Sequence, residues 1–274
     1  MFRPQLRAPS KLRGGFELLE LIFNVTIHNL RKSHGNAVFG LVMSIFQSVM
    51  LVLIMYVIFH ILGLRAVAIR GDFMLFVMSG VFMFMTHVKT LSAVSAADSP
   101  ASSMMMHAPM NPIVAISAAA LASLYQQTLS AGVILFFYDA VFAQITIRDP
   151  VGVLGMHMLS WFSGIGVGMI FYAAMPWQPE VVGVLSTIYA RANMIASGKM
   201  LVANATPANR RALFDWNPLF HTIDQGRGFI FLNYEPRYTS IHYPIYVGLT
   251  CMLIGLMAQY FTAKHASASW GKGR

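Results

Sequence analysis

Arg191 stands near the centre of a largely apolar run, 180–202, where a guanidinium costs at least about 2.5 kcal/mol on membrane-insertion scales unless water or a partner meets it. Two arrangements satisfy it. Either it faces a polar pathway and contacts phosphates, acidic sugars or hydroxyls, or it forms a structural ion pair with Asp139 or Glu180. Gly183, Thr187, Ala190, Met194, Ser197 and Gly198 share its stripe at helical spacing. A second stripe, Gly40, Ser44, Gln47 and Ser48, marks the run beginning at 37, and Ser123, Gln126, Gln127 and Ser130 mark the run from 113. Gly164 and Gly168 stand in GxxxG spacing beside Ser163 and Gly166. On greasy helices such stripes face another helix or water rather than acyl chains. Close helix packing explains any one of them, whereas stripes in several runs favour a polar pathway. The chemistry on offer is hydrogen bonding and charge along a path, with the aromatics Trp161 and Tyr189 as surfaces on which sugars stack.

Bond-breaking chemistry has less to stand on. No G-x-x-x-x-G-K-[ST] phosphate loop occurs, and Gly198-Lys199 lacks the second glycine and the following hydroxyl residue, so ATP hydrolysis by that route is excluded. Neither an H-E-x-x-H zinc motif nor a G-x-S-x-G elbow is present, and the histidines are scattered. For His60, His87 and His157, packing or a satisfied hydrogen bond is the expected role. The single Cys251 excludes an internal disulfide and a multi-cysteine metal site. Met104, Met105, Met106, His107 and Met110 offer ligands of the kind Cu(I) takes. Flexible methionines also make adaptable docking surfaces, and docking to a cytosolic partner is the preferred reading, with no metal or cofactor expected in this chain.

The elements that must position these residues follow from composition. Of 274 residues, 57% are hydrophobic and 11% charged, a balance that requires much of the surface to face lipid. Six runs are long enough to span a bilayer: roughly 37–63, 73–97, 113–142, 151–175, 180–202 and 243–262. Residues 16–30 place Phe16, Leu19, Phe23, Ile27 and Leu30 on one face beside Glu17, Glu20, Asn24 and His28, which predicts a helix lying in the headgroup region. The basic, polar residues 1–15 lack the apolar centre of a secretory signal. Cations before the first run (Arg3, Arg7, Lys11, Arg13, Arg31, Lys32) and after the last (Lys264, Lys272, Arg274) put both ends in the cytosol. The net charge of +9 is therefore read as topology, and nucleic acid is not an expected partner. The segment 203–242, rich in Pro, Asn and Gly, is then external, with Asn217 capping a short helix that Pro218 begins. That helix either re-enters the bilayer or packs at the interface. The fold class expected is an all-α membrane protein: an N-terminal tail and amphipathic helix (1–36), six transmembrane helices (37–264) with short re-entrant or interfacial helices between the fifth and sixth, and a C-terminal tail (265–274).

This order resembles the permeases of type-two ABC exporters, and within them the capsule-polysaccharide and O-antigen export permeases. The local matches are Asp72-Phe73-Met74-Leu75-Phe76 with Ser79-Gly80, Ser197-Gly198, and Trp216-Asn217-Pro218-Leu219-Phe220-His221 through Arg227. The likeness runs from about Phe16 to Lys264. Lys199 and Met200 depart from it, standing where aromatic residues usually follow Ser-Gly. The resemblance implies a permease dimer bound to two copies of a separate ABC ATPase that holds ATP and magnesium, so this chain itself is not an enzyme. It implies a coupling connection at 98–112, including Ser99, Pro100, Met104, Met105, Met106, His107 and Pro112. Spans one and five line the channel, with Ser44, Gln47, Ser48, Thr187 and Arg191, and Trp161 and Tyr189 nearby. An external gate involves Ser197, Gly198, Trp216, Asn217 and Pro218. The implied cargo is a lipid-linked polysaccharide moved from cytosol to periplasm across the bacterial inner membrane, with periplasmic and outer-membrane export proteins beyond. The rival readings are the same architecture exporting another lipid-linked polymer, lipid or drug, and a multispan enzyme acting on lipid-linked sugars.

Overall fold

The computed structural model describes residues 11–32, 37–61, 63, 69, 71–97 and 111–265. Among these the regular structure is helical throughout: α1 (Lys11–Lys32), α2 (Ala37–Ile61), α3 (Phe73–Ser95), α4 (Pro112–Val141), α5 (Pro150–Ala174), α6 (Pro179–Ala196), a 3-10 turn (Ala203–Ala205), α7 (Ala208–Arg211), α8 (Pro218–Ile230) and α9 (His242–His265). Most starts are written in the sequence. Asp72, Asn111, Asp149 and Asn217 each sit in extended backbone and accept amide hydrogens of the turn they open, and Pro follows directly in α4, α5 and α8.

Five helices are long and apolar enough to cross a membrane: Val38–Ile61 within α2, then α3, α4, α5 and α9. The fifth expected span, α6, is not among them. It has 18 residues and ends at Ala196 rather than at Val202. Gly198 stops it by taking φ +61°, a left-handed conformation that suits glycine, and Thr187, Arg191 and Asn193 dilute its apolar content.

The helix α3 forms the centre, packing on α2, α4, α5, α6 and α8. Close approach explains its burial. An added Cβ at Gly164 of α5 would stand 2.6 Å from the His87 carbonyl oxygen, and one at Gly168 would stand 3.0 Å from that of Leu91. The GxxxG stripe thus lets α5 lie against α3, as small residues allow between apolar helices. Gly166 turns the other way, where an added Cβ would stand 2.7 Å from the Gly248 carbonyl oxygen of α9. Outside this centre, α2 and α9 expose most of their apolar surface. The helix α1 packs along α4 and α2 and leaves Phe16, Leu19 and Phe23 exposed.

At one end, α8 covers the starts of α3 and α5 with Leu219, Phe220 and Ile223. Two backbone bonds, from the amides of Arg148 and Asp149 to the carbonyls of Ile230 and Phe229, fasten it to the loop before α5. Of the expected coupling residues, Ser99, Pro100, Met104, Met105, Met106 and His107 lie outside the described residues, as do much of the two tails; Pro112 is the first residue of α4.

Candidate polar lane along the central helix

Two grooves run along α3, one on each side. The first, about 360 Å³, is walled by α1, α2, α3 and α4, with Gln47, Lys89, Ser92, Ser123, Gln126 and Gln127 among its polar lining. The second, about 330 Å³, lies between α3 and α6, where Thr187 and Arg191 face Phe84, Val88 and Lys89. Lys89 and Ser92 line both. The Lys89 ammonium donates to Gln47 Oε1 at 2.6 Å and so spans from α3 to α2. Among the described residues no Asp or Glu lines either groove.

The expected channel residues divide between this lane and the helix seams. Gln47, Thr187 and Arg191 are exposed on the lane. Arg191 forms no ion pair among the described residues. Glu180 lies about three turns, roughly 16 Å, earlier on the same helix. Asp139 instead accepts the amide of Ile145. Ser44 sits at the edge of the first groove but is only 7% exposed, and its Oγ accepts from Gln127 Nε2 at 3.1 Å and from Ser130 Oγ at 3.0 Å. Ser48 is buried. Ser44 joins α2 to α4, and Gln47, three positions on from that contact, is the residue left open.

The two expected stacking aromatics are engaged elsewhere. Trp161 Nε1 donates to the Ala120 carbonyl of α4 at 2.8 Å. Tyr189 turns from α6 toward α3, with its hydroxyl 3.2 Å from His87 Nε2, while His87 Nδ1 lies 2.9 Å from Ser163 Oγ of α5. Donors can be assigned in order. Ser163 donates to the Ser160 carbonyl, so His87 Nδ1–H donates to Ser163, and the bare Nε2 accepts from Tyr189. A neutral histidine thereby joins three helices.

The expected gate residues meet at the junction of α6 and α8. An added Cβ at Gly198 would stand 2.3 Å from the Phe220 ring, so the turn closes against α8 only with glycine there. Asn217 accepts the amide of Leu219 and donates to Asn193 Oδ1 of α6 at 2.8 Å, with Pro218 next in line. Ser197 is fully buried in the same place. Trp216 stands apart, exposed, donating to the Leu213 carbonyl.

Arg227 and Lys89 escaped the sequence reading of site roles. Arg227 is fully buried, donates to the carbonyls of Lys199 and Leu201, and lies 4.0 Å over the Phe76 ring. Gly80 leaves the room it needs: a Cβ there would stand 3.0 Å from the guanidinium. Three separated segments, around Phe76 and Gly80, around Gly198, and along α8, are thus held by one side chain. Asp224, one turn earlier, accepts from Tyr234 and Thr239, and burial together with that carboxylate pushes the Tyr234 phenol up. The Lys199 ammonium is buried 3.7 Å from the Phe84 ring centre with no hydrogen-bond acceptor among the described residues. In the sequence Lys89, like Lys199, lies toward the end of its run, where a lysine can snorkel to the interface, so its position alone gives it no site role.

No family model matches the chain, and no curated protein matches it.

Proposed function

We propose that this chain is the transmembrane permease half of an ATP-driven exporter that moves a polysaccharide, carried on a lipid, from the cytosol to the periplasm across a bacterial inner membrane. The observation that carries the reading is the polar lane, lined by no acid among the described residues: Gln47, Lys89 and Arg191, on three helices, line the two grooves along α3 in an otherwise apolar bundle. Hydroxyl-rich cargo needs such donors and acceptors along its path, because each unpaired polar group in hydrocarbon is costly.

In this reading α6 is the fifth of six spans, tolerated at low hydropathy because its Thr187 and Arg191 face the path instead of lipid. The chain works as one of two copies. The exposed apolar faces of α2 (Phe46, Met50, Leu53) and α6 (Val184, Leu185, Ile188) meet lipid and the second copy, and the two lanes together enclose the conduit. Two copies of a separate ABC ATPase, holding ATP and magnesium, dock at 98–112 and α1, so both termini are cytosolic and this chain hydrolyses nothing itself. The segment 197–241 is the external gate, re-entrant beside α3 and α5, and passes the polymer to periplasmic and outer-membrane proteins. ATP binding in the partner moves α1 and the 98–112 connection and changes the separation of α2 and α6 across the two copies.

Co-purification tests it. The chain should retain a small ABC ATPase from its native membrane, and the complex should hydrolyse ATP faster when lipid-linked glycan is added. A chain that purifies without any ATPase and shows no nucleotide-dependent transport in vesicles would end the reading.

A further inference from the structure

We infer that the lane is an oxyanion-binding track, in which Lys89 and Arg191 meet phosphate or carboxylate groups on the cargo, so that acidic polymer is preferred to neutral polymer. The inference rests on the exporter reading and adds the chemical class that reading leaves open.

Two cations line the second groove, and among the described residues no carboxylate lines either groove. A cation in a membrane protein ordinarily finds a buried acid. Here Lys89 has a single neutral acceptor, Gln47, leaving two of its three N–H donors without a protein partner among the described residues. Arg191 has no ion pair among the described residues, although its five donors in a planar fork suit two-point contact with a carboxylate or phosphate. Lys89 is half-buried, so an anion it meets is partly shielded from water and the charge-assisted contact is stronger than at an open surface. Gln47 fixes the ammonium between the two grooves, and its neutral carbonyl does so without cancelling the charge. An aspartate in its place would occupy the cation and block the track.

The experiment uses the full chain in nanodiscs of uncharged phosphatidylcholine. Two fluorescent probes, an oligosialic acid and a dextran of equal length, are titrated by thermophoresis at low and at physiological salt. The wild-type chain should bind the acidic oligosaccharide at least about tenfold more tightly than dextran, and the difference should shrink as salt rises. Lys89→Gln should weaken acidic binding about tenfold and dextran binding much less, so that most of the preference for the acidic probe is lost, and Lys89→Arg should restore most of it. Arg191→Gln, at an exposed position with no contact the fold needs, gives the same comparison should Lys89→Gln not fold. A phosphodiester-bearing oligosaccharide run beside the sialic acid tells phosphate from carboxylate. Unchanged acidic binding in a folded Lys89→Gln or Arg191→Gln variant overturns the inference. Equal binding of acidic and neutral probes by the wild type also overturns it, yet leaves glycan export standing. Binding of neither probe overturns inference and exporter reading together.

Discussion

Lys89 and Gln47 join the central helix to its neighbour by one 2.6 Å hydrogen bond, with an open groove on either side of the lysine. Among the described residues the pair belongs to no carboxylate network. It positions a charge without neutralising it, which distinguishes it from the serine contacts that seal the rest of the seam between α2 and α4.

Gln47→Leu should therefore leave the fold nearly intact, since it removes one partly exposed bond worth about 1 kcal/mol, and should reduce cell-surface glycan severalfold. Combined with Arg191→Ala it should abolish surface glycan. Surface labelling alongside membrane-protein abundance separates transport from stability.

The chain of donors from Tyr189 through His87 to Ser163 makes a second expectation. Tyr189→Phe removes the hydroxyl that satisfies His87 Nε2 and strands a buried acceptor, a loss of about 1–3 kcal/mol. The variant should melt several degrees lower in detergent. An unchanged melting temperature would show that α6 is not anchored through this contact.

Gly164→Val should be among the most damaging single changes in the bundle. Its Cβ would meet the His87 carbonyl oxygen at 2.6 Å, and backbone cannot step aside as a flexible side chain does. Overpacking of this kind costs about 1–3 kcal/mol or more. Low membrane abundance measured by immunoblot is the expected result, whereas Gly183→Val, with nothing within 4 Å of the added atom, should be tolerated.

The two buried cations between α6 and α9, Lys199 and Arg227, should respond in opposite directions. Arg227→Met leaves two buried carbonyls without their donor and is expected to cost about 3–5 kcal/mol. Arg227→Lys should not rescue it, because a single ammonium cannot hold both oxygens at the guanidinium's spacing. Lys199→Met removes an ammonium that has no acceptor among the described residues, and should leave stability unchanged or raise it. Melting curves of the three variants decide the matter.

Much of this architecture can be read from residues alone. The cap Asn217 with Pro218 marks the start of α8, and the glycine spacing of α5 announces close packing. Periodicity, however, assigns a face and not a depth. Ser44, Gln47 and Ser48 share one stripe, yet the serines are sealed against neighbouring helices while the glutamine stays open, a division set by where α4 crosses α2. Tyr189 and Trp161 have the right shape for sugar but spend their polar atoms on helix contacts. The end of α6 depends on one backbone angle at Gly198, which an apolar run continuing to Val202 conceals. Arg227 draws together segments more than a hundred positions apart, and nothing local to it signals those partners.

The most direct measurement is thiol accessibility in sealed inner-membrane vesicles. With Cys251 replaced by Ser, single cysteines at positions 47, 89 and 187 are treated with a charged maleimide while the ATPase partner is present. Labelling at all three that acidic glycan suppresses and ATP alters is the expected result. Residues that stay unlabelled in every nucleotide state, or that label equally with and without glycan, would contradict a polymer path along α3.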